Sequence, residues 1–202
     1  MKKFIALALC ITGLHAFGQQ DNAAKRVLDQ VSKKYDAYHT VQSSFSFSAK
    51  QANGDAYTDK GLLFMNKPKK QYKIQLDRQD LISDGKSTWS ILKEEKEVQI
   101  TEADNSTDAI GPNNIFTFYK TGFDYKSLAD EHVKGESLKV IELSPIDSKK
   151  NYAKIKLRIN KNSHIHDVTV YDKSGANYTY MIQGLYVNTA IPEKTFKKKK
   201  KS

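Results

Sequence analysis

Residues 21–38 place Ala24, Leu28, Val31, Tyr35 and Tyr38 at three- and four-residue steps, with Lys25, Arg26, Lys33 and Lys34 largely elsewhere. That spacing puts one apolar stripe on a helix, which needs a sheet to cover it. Asp21 or Asn22 can cap its first amides. Beyond residue 40 the period drops from 3.6 to 2. Phe45, Phe47 and Ala49 alternate with Ser44, Ser46 and Ser48, and Tyr72, Ile74 and Leu76 alternate with Lys73, Gln75 and Asp77. Further strand-like stretches hold residues 61–65, Trp89 with Ile91, Val98 with Ile100, and residues 138–143. In the last part of the chain, Ala153, Ile155, Leu157 and Ile159 alternate with lysine and arginine. Val168 and Val170, then Tyr178, Tyr180 and Ile182, follow. Asn53-Gly54, Asp84-Gly85 and Ser174-Gly175 mark tight turns between them. About ten short strands joined mostly by hairpins predict a mainly β (α+β) fold, an antiparallel sheet curling toward a barrel with an N-terminal helix.

Residues 104–126 break the meander. Polar residues 104–108 and Gly111-Pro112 precede the apolar cluster Ile115, Phe116, Phe118 and Tyr119. A long insertion of this kind in a compact β domain reads as a lid or binding loop, here expected to be helical.

The N-terminus sets the expected compartment. Lys2 and Lys3 precede an uncharged apolar run over residues 4–14, and Ala16-Phe17-Gly18 supplies small residues at a cleavage site. This is the layout of a cleaved secretory signal, residues 1–18, because the run is well short of the ~20 residues of a membrane span. Residues 19–196 then form one domain and residues 197–202 a basic tail. Cys10, the single cysteine, lies within the apolar run behind Leu9. That excludes a lipidation site just after the signal, and it leaves the mature chain without disulfide or thiolate chemistry. Of the net charge of +10, Lys2, Lys3 and the five lysines at 197–201 account for seven. The excess is therefore mostly a tail with a weak pull on anionic surfaces, and no nucleic-acid motif accompanies it.

Catalytic motifs are missing: the sequence has no Gly-x-Ser-x-Gly, no His-Glu-x-x-His and no phosphate loop. His164 and His166, two apart on a strand, could share a metal, but two ligands make no site. Asp84 has a sufficient explanation in the turn it forms with Gly85. No metal or cofactor is expected, and the protein is expected not to be an enzyme. The sequence has nine Phe and eleven Tyr, most of them spread over the strands and the lid. A sheet face that greasy needs a cover, or a ligand that acts as one. Core and cavity look alike at this level.

The order of motifs carries a resemblance. After the helix come Thr40-Val41-Gln42-Ser43-Ser44-Phe45, Lys60-Gly61-Leu62-Leu63-Phe64, Asn66-Lys67-Pro68 and Tyr72-Lys73-Ile74. Ile82-Ser83-Asp84-Gly85-Lys86-Ser87-Thr88-Trp89, Leu143-Ser144-Pro145, His164-Ile165 and Thr195-Phe196 complete the series. Together they resemble the outer-membrane lipoprotein carrier family, LolA, over essentially all of residues 19–196. The resemblance implies a half-open antiparallel β-barrel whose concave apolar face is covered by short helices. It implies a periplasmic, monomeric carrier of acylated lipoproteins, loaded by an inner-membrane ABC exporter and unloaded to an outer-membrane acceptor. Each methylene exposed to water costs ~0.8 kcal/mol, so an acylated protein needs an escort across an aqueous compartment. The expected cavity residues are Phe45, Phe47, Phe64, Tyr72, Ile74, Trp89, Ile91, Ile155, Leu157, Val168, Val170 and Tyr180. The expected lid residues are Ile115, Phe116, Phe118 and Tyr119. In the family a basic residue before the proline latches the lid backbone. Here that residue is Lys67, where arginine is more usual, and lysine lacks the planar fork. The same fold could instead carry or sense another lipid or glycolipid.

Overall fold

The computed structural model of the protein describes residues 21–103 and 114–198. The signal-like residues 1–18, residues 104–113 of the insertion and residues 199–202 of the tail lie outside it. One helix, α1 (Asn22–Asp36), precedes eleven strands. These are β1 (Thr40–Lys50), β2 (Ala56–Asn66), β3 (Gln71–Gln75), β4 (Gln79–Ser83), β5 (Ser87–Leu92) and β6 (Glu97–Glu102). Then come β7 (Phe123–Val133), β8 (Glu136–Pro145), β9 (Tyr152–Ile159), β10 (Ile165–Asp172) and β11 (Asn177–Val187).

All eleven form one antiparallel sheet in the order β6-β5-β4-β3-β2-β1-β11-β10-β9-β8-β7. Every neighbour is consecutive except β1 with β11, so a single long-range pairing turns two meanders into one sheet. β6 and β7 are edges, and the barrel stays open between them. The connection from β6 to β7, described from residue 114 onward, therefore joins the two free edges in sequence.

Ala24, Leu28, Val31 and Tyr35 of the predicted stripe are the buried residues of α1, while Tyr38 lies two residues beyond its end. Asp21 is the cap, its Oδ1 accepting from the amides of Ala23 at 2.8 Å and Ala24 at 3.1 Å. Its Oδ2 accepts from the Ser127 amide of β7 at 2.7 Å, pinning the start of the helix to an edge strand. The stripe joins Ile141, Leu143, Ile155, Leu157 and Ile159 in one core. Each such burial contributes roughly 1.5–3 kcal/mol.

One strand was not anticipated. β7 begins at Phe123, inside the stretch read as insertion, and its hairpin to β8 turns on Lys134 (φ 51°) and Gly135 (φ 82°). At Gly85 (φ +94°) the demand for glycine is doubled, because a Cβ there would lie 2.6 Å from the Lys69 carbonyl oxygen.

Candidate functional site: an apolar cavity on the concave face

Cross-strand partners share a sheet face, so the register assigns each strand its sides. Ser43, Leu63, Ile74, Leu81 and Ser90 form one row across β1–β5, and Gln42, Phe64, Lys73, Ile82, Trp89 and Ile100 form the next, on the opposite face. Ser43, Leu63 and Ile74 of the first row line a cavity of about 200 Å³. Its floor is Ser43, Phe45, Leu63, Ile74, Ile165, Val168, Tyr180 and Ile182, and its roof is Ile115 and Phe116. Among the lining side chains only Ser43 and Tyr180 carry an oxygen. At the mouth, Tyr180 is 37% exposed and packs against Phe47, with ring centroids 4.9 Å apart.

The cavity therefore gathers Phe45, Ile74, Val168, Tyr180, Ile115 and Phe116 from the residues expected there. Phe47 stands beside Tyr178 and Tyr180 at the rim. Ile155 and Leu157 face the same concave side, but α1 fills the space over them and both are fully buried in core, with Val170 packed at its margin. Tyr72 is also buried, its hydroxyl 3.4 Å from Thr88 Oγ1.

Phe64, Trp89 and Ile91 require correction: they lie on the outer face. The run Gly61-Leu62-Leu63-Phe64-Met65 is apolar throughout, so alternation assigned it no side; burial of Leu63 and Met65 does. In β5 the apolar residues do alternate, but the polarity of the sheet is inverted at this end. Ser83, Thr88, Ser90 and Thr101 look inward, while Ile82, Trp89 and Ile91 look outward. The outer face can be apolar because the C-terminal segment roofs part of it: the 3-10 turn Glu193–Phe196 packs on β3, with Phe196 1% exposed. Ser43, Leu63, Ile165 and Ile182 were missed. Ser43 stands in phase with Phe45, and Ile182 with Tyr180, so phase alone could have placed these two.

The described part of the lid is not an α-helix. Residues 114–117 form a turn and Phe118–Lys120 a single 3-10 turn, after which β7 begins. Side-chain contacts hold it instead. Phe116 stacks on Tyr35 at 4.6 Å and 7°, and Phe118 meets Phe123 edge-on at 5.9 Å. Lys120 pairs with Asp36 at 2.6 Å, and the Tyr125 hydroxyl donates to the Tyr119 carbonyl at 2.8 Å. Burial pushes the Tyr119 phenol up to about 12. Phe118 and Tyr119 belong to the core and anchor the lid, whereas Ile115 and Phe116 face the cavity.

Lys67, the expected latch, reaches the end of α1. Its ammonium donates to the Tyr35 carbonyl and, at 3.5 Å, to that of Asp36, at the C-terminal end of α1. Phe116 and Thr117 line a small void beside it of about 20 Å³, and among the described residues no lid carbonyl accepts from it. Desolvation pushes its pKa below the ordinary lysine value, against the pull of Asp36.

His164 and His166 do not converge. The Nε2 of His164 lies 2.8 Å from the Tyr38 hydroxyl, while His166 pairs through Nδ1 with Asp167. Burial, and secondarily Lys34, lowers the His164 pKa.

An open antiparallel sheet wrapped around a helix and an apolar cavity is the architecture of a carrier or binding protein. Residues 36–199 match the family described as outer membrane lipoprotein carrier protein LolA, and the chain belongs to that family, one of carriers rather than of enzymes. Among solved structures, an uncharacterized conserved protein from Thermus thermophilus is similar at TM-score 0.60 and 11% identity, covering 89% of this chain and 95% of its own. Lipoprotein LppX of Mycobacterium tuberculosis is similar at TM-score 0.58 and 10% identity, covering 85% and 98%. A LolA superfamily protein from Nitrosomonas europaea shares 13% identity over 87% and 97% of the two chains, with a TM-score of 0.44. A search of curated protein sequences returns no match. Among the described residues, no helix is long and apolar enough to cross a membrane.

Proposed function

We propose that the protein is a periplasmic carrier that shields the acyl chains of lipoproteins between an inner-membrane ABC exporter and an outer-membrane acceptor. One observation carries the reading: an apolar cavity on the concave face, roofed by Ile115 and Phe116 just ahead of the edge strand β7. The signal-like start, with Lys2 and Lys3 before an apolar run, supports the compartment.

The closed cavity, about 200 Å³, is smaller than the ~300–1,000 Å³ usual for ligand sites. Loading therefore requires the roof to move. Among the described residues the Tyr35–Phe116 stack opposes movement of the roof, while the Lys120–Asp36 pair, the hydrogen bonds of Tyr119 with Tyr125 and Ser32 and the buried Phe118 anchor the segment behind it. Movement confined to Ile115 and Phe116 leaves those anchors in place and keeps closed-empty and open-loaded states close in energy. A modest difference in affinity at the acceptor then suffices for release.

The test is mass spectrometry of what co-purifies with the protein from its native envelope. Acylated peptides are expected on the parent, and at least a tenfold loss in Ile115→Asp and in Ile182→Asp, with circular dichroism still reporting the sheet. Recovery of free phospholipid or glycolipid alone, never an acylated peptide, would overturn the lipoprotein reading in favour of a lipid carrier.

A further inference from the structure

A second groove, of about 790 Å³, runs over the outer face of β3–β6, with the sheet between it and the cavity. Ile82, Ile91 and Val98 give it an apolar floor. Six lysines surround that floor: Lys73 from β3, Lys93 and Lys96 from the β5–β6 turn, and Lys194, Lys197 and Lys198 from the C-terminal segment. Among the described lining residues, the acids against them are Asp80 and Glu97. Asp80 is already engaged by Lys93 at 2.9 Å and Lys73 at 3.9 Å, and Glu97 accepts from Gln99 at 3.0 Å. Among the described residues Lys96, Lys194, Lys197 and Lys198 have no ion pair within 4 Å. Glu193, next to Lys194 in the chain, is paired with Lys69 and feels Lys197 only at longer range.

The C-terminal lysines are held at the groove. Thr189 ties the segment to β1, its carbonyl accepting from Thr40 Oγ1 at 2.7 Å and its hydroxyl from Gln42 Nε2 at 2.6 Å. The Lys69–Glu193 pair and the buried Phe196 then fix the 3-10 turn on β3. Three more lysines, 199–201, follow in the sequence. Next to the groove, on the same face and on the free edge strand, Ile100 is 62% exposed.

We propose that this outer face docks the protein on the anionic surface of a phospholipid bilayer. The lysines sit over lipid phosphates, and the Val98–Ile100 edge enters the interfacial layer. Charge complementarity selects the occupant: a cluster of four to eight lysines near exposed apolar side chains has the composition of an anionic-membrane site. Docking through the outer face leaves the concave cavity free, so the inference does not depend on what the cavity carries.

Purified protein with its complete C-terminal run is sedimented with vesicles of equal parts phosphatidylglycerol and phosphatidylcholine, and separately with phosphatidylcholine alone. Binding is expected only to the anionic vesicles and should weaken as salt shortens the screening length. The triple variant Lys96→Gln, Lys194→Gln, Lys198→Gln is expected to weaken it roughly 100-fold, at about fivefold per lysine. The charge-neutral pair Val98→Gln, Ile100→Gln alters only exposed and half-exposed positions on an edge strand, and should weaken it at least fivefold. Equal binding to both kinds of vesicle, or none to either, would overturn the proposal. So would full binding by the Val98→Gln, Ile100→Gln variant, since a free lysine tail would then account for the attraction. Cavity loading should be unchanged in both variants.

Discussion

The ammonium of Lys67 sits at the last carbonyls of α1, that of Tyr35, which also accepts from the Tyr38 amide at 3.2 Å, and that of Asp36. A cation there meets both the end carbonyls and the negative end of the helix dipole. This geometry makes Lys67 a C-terminal cap first, and among the described residues it meets the lid through Tyr35, on which Phe116 stacks, and through Asp36, whose carboxylate pairs with Lys120. Lys67→Met keeps the aliphatic stem and removes the cap. A loss of about 1 kcal/mol in urea denaturation, with acyl loading within twofold of the parent, is the expected result. A direct latch would behave in the opposite way, with loading altered at constant stability. Sequence position alone could mark Lys67 as special, since it precedes Pro68 at the end of a strand. It could not say which carbonyls lie within reach of a flexible four-carbon stem.

Elements with a strict period were legible, and those without one were not. The α1 stripe and the β1, β9 and β11 alternations each leave one consistent apolar side, so burial follows from the pattern. β2 is apolar on both sides near Leu63, and β5 is apolar on the side that faces away from the cavity. For such strands the face is settled by what covers them. The lid shows the same limit. Its apolar residues were recognisable, but their form, a turn and one 3-10 turn, comes from packing against Tyr35 and Phe123 rather than from helical propensity. The N-terminal cap of α1 gives a test at this scale. Three amides, those of Ser127, Ala24 and Ala23, hold the Asp21 carboxylate below its ordinary value of 3.8, the first being the strongest. A carboxylate depressed in the folded state stabilises above the unfolded value and loses that contribution as pH falls through the folded one. Asp21→Ala should therefore lower the denaturation midpoint at pH 7. The gap to the parent should narrow as pH drops below about 4, as measured by urea titration at a series of pH values.

Across the whole molecule, the open sheet separates two environments by one strand thickness. The concave side holds α1, the core and the lidded cavity, and the convex side at β3–β6 holds an apolar strip among lysines. Trp89, the only tryptophan, belongs to the second environment. Loading the cavity should therefore leave its emission unchanged. A double variant, Trp89→Phe with Phe116→Trp, moves the reporter to the roof and should show a clear shift on loading in a fluorescence titration. An equal response from Trp89 itself would mean that loading deforms the whole sheet rather than the roof.

The sequence by itself determined a helix followed by an antiparallel meander, the positions of three glycine turns and an apolar insertion in the place of a lid. These are local properties, set by side-chain period and by backbone freedom at single residues. Its ordered motifs carried the family as well. Only the tertiary structure decided that the insertion starts at one free edge and ends at the other, and that the convex face of β3–β6 is apolar under Phe196. It also decided that Ile155 and Leu157 are core while Ile74 and Val168 line a cavity. Alternation tells which residues avoid water. Which surface covers them depends on the β1–β11 pairing and on the path of the C-terminal segment, both contacts between residues far apart in the chain.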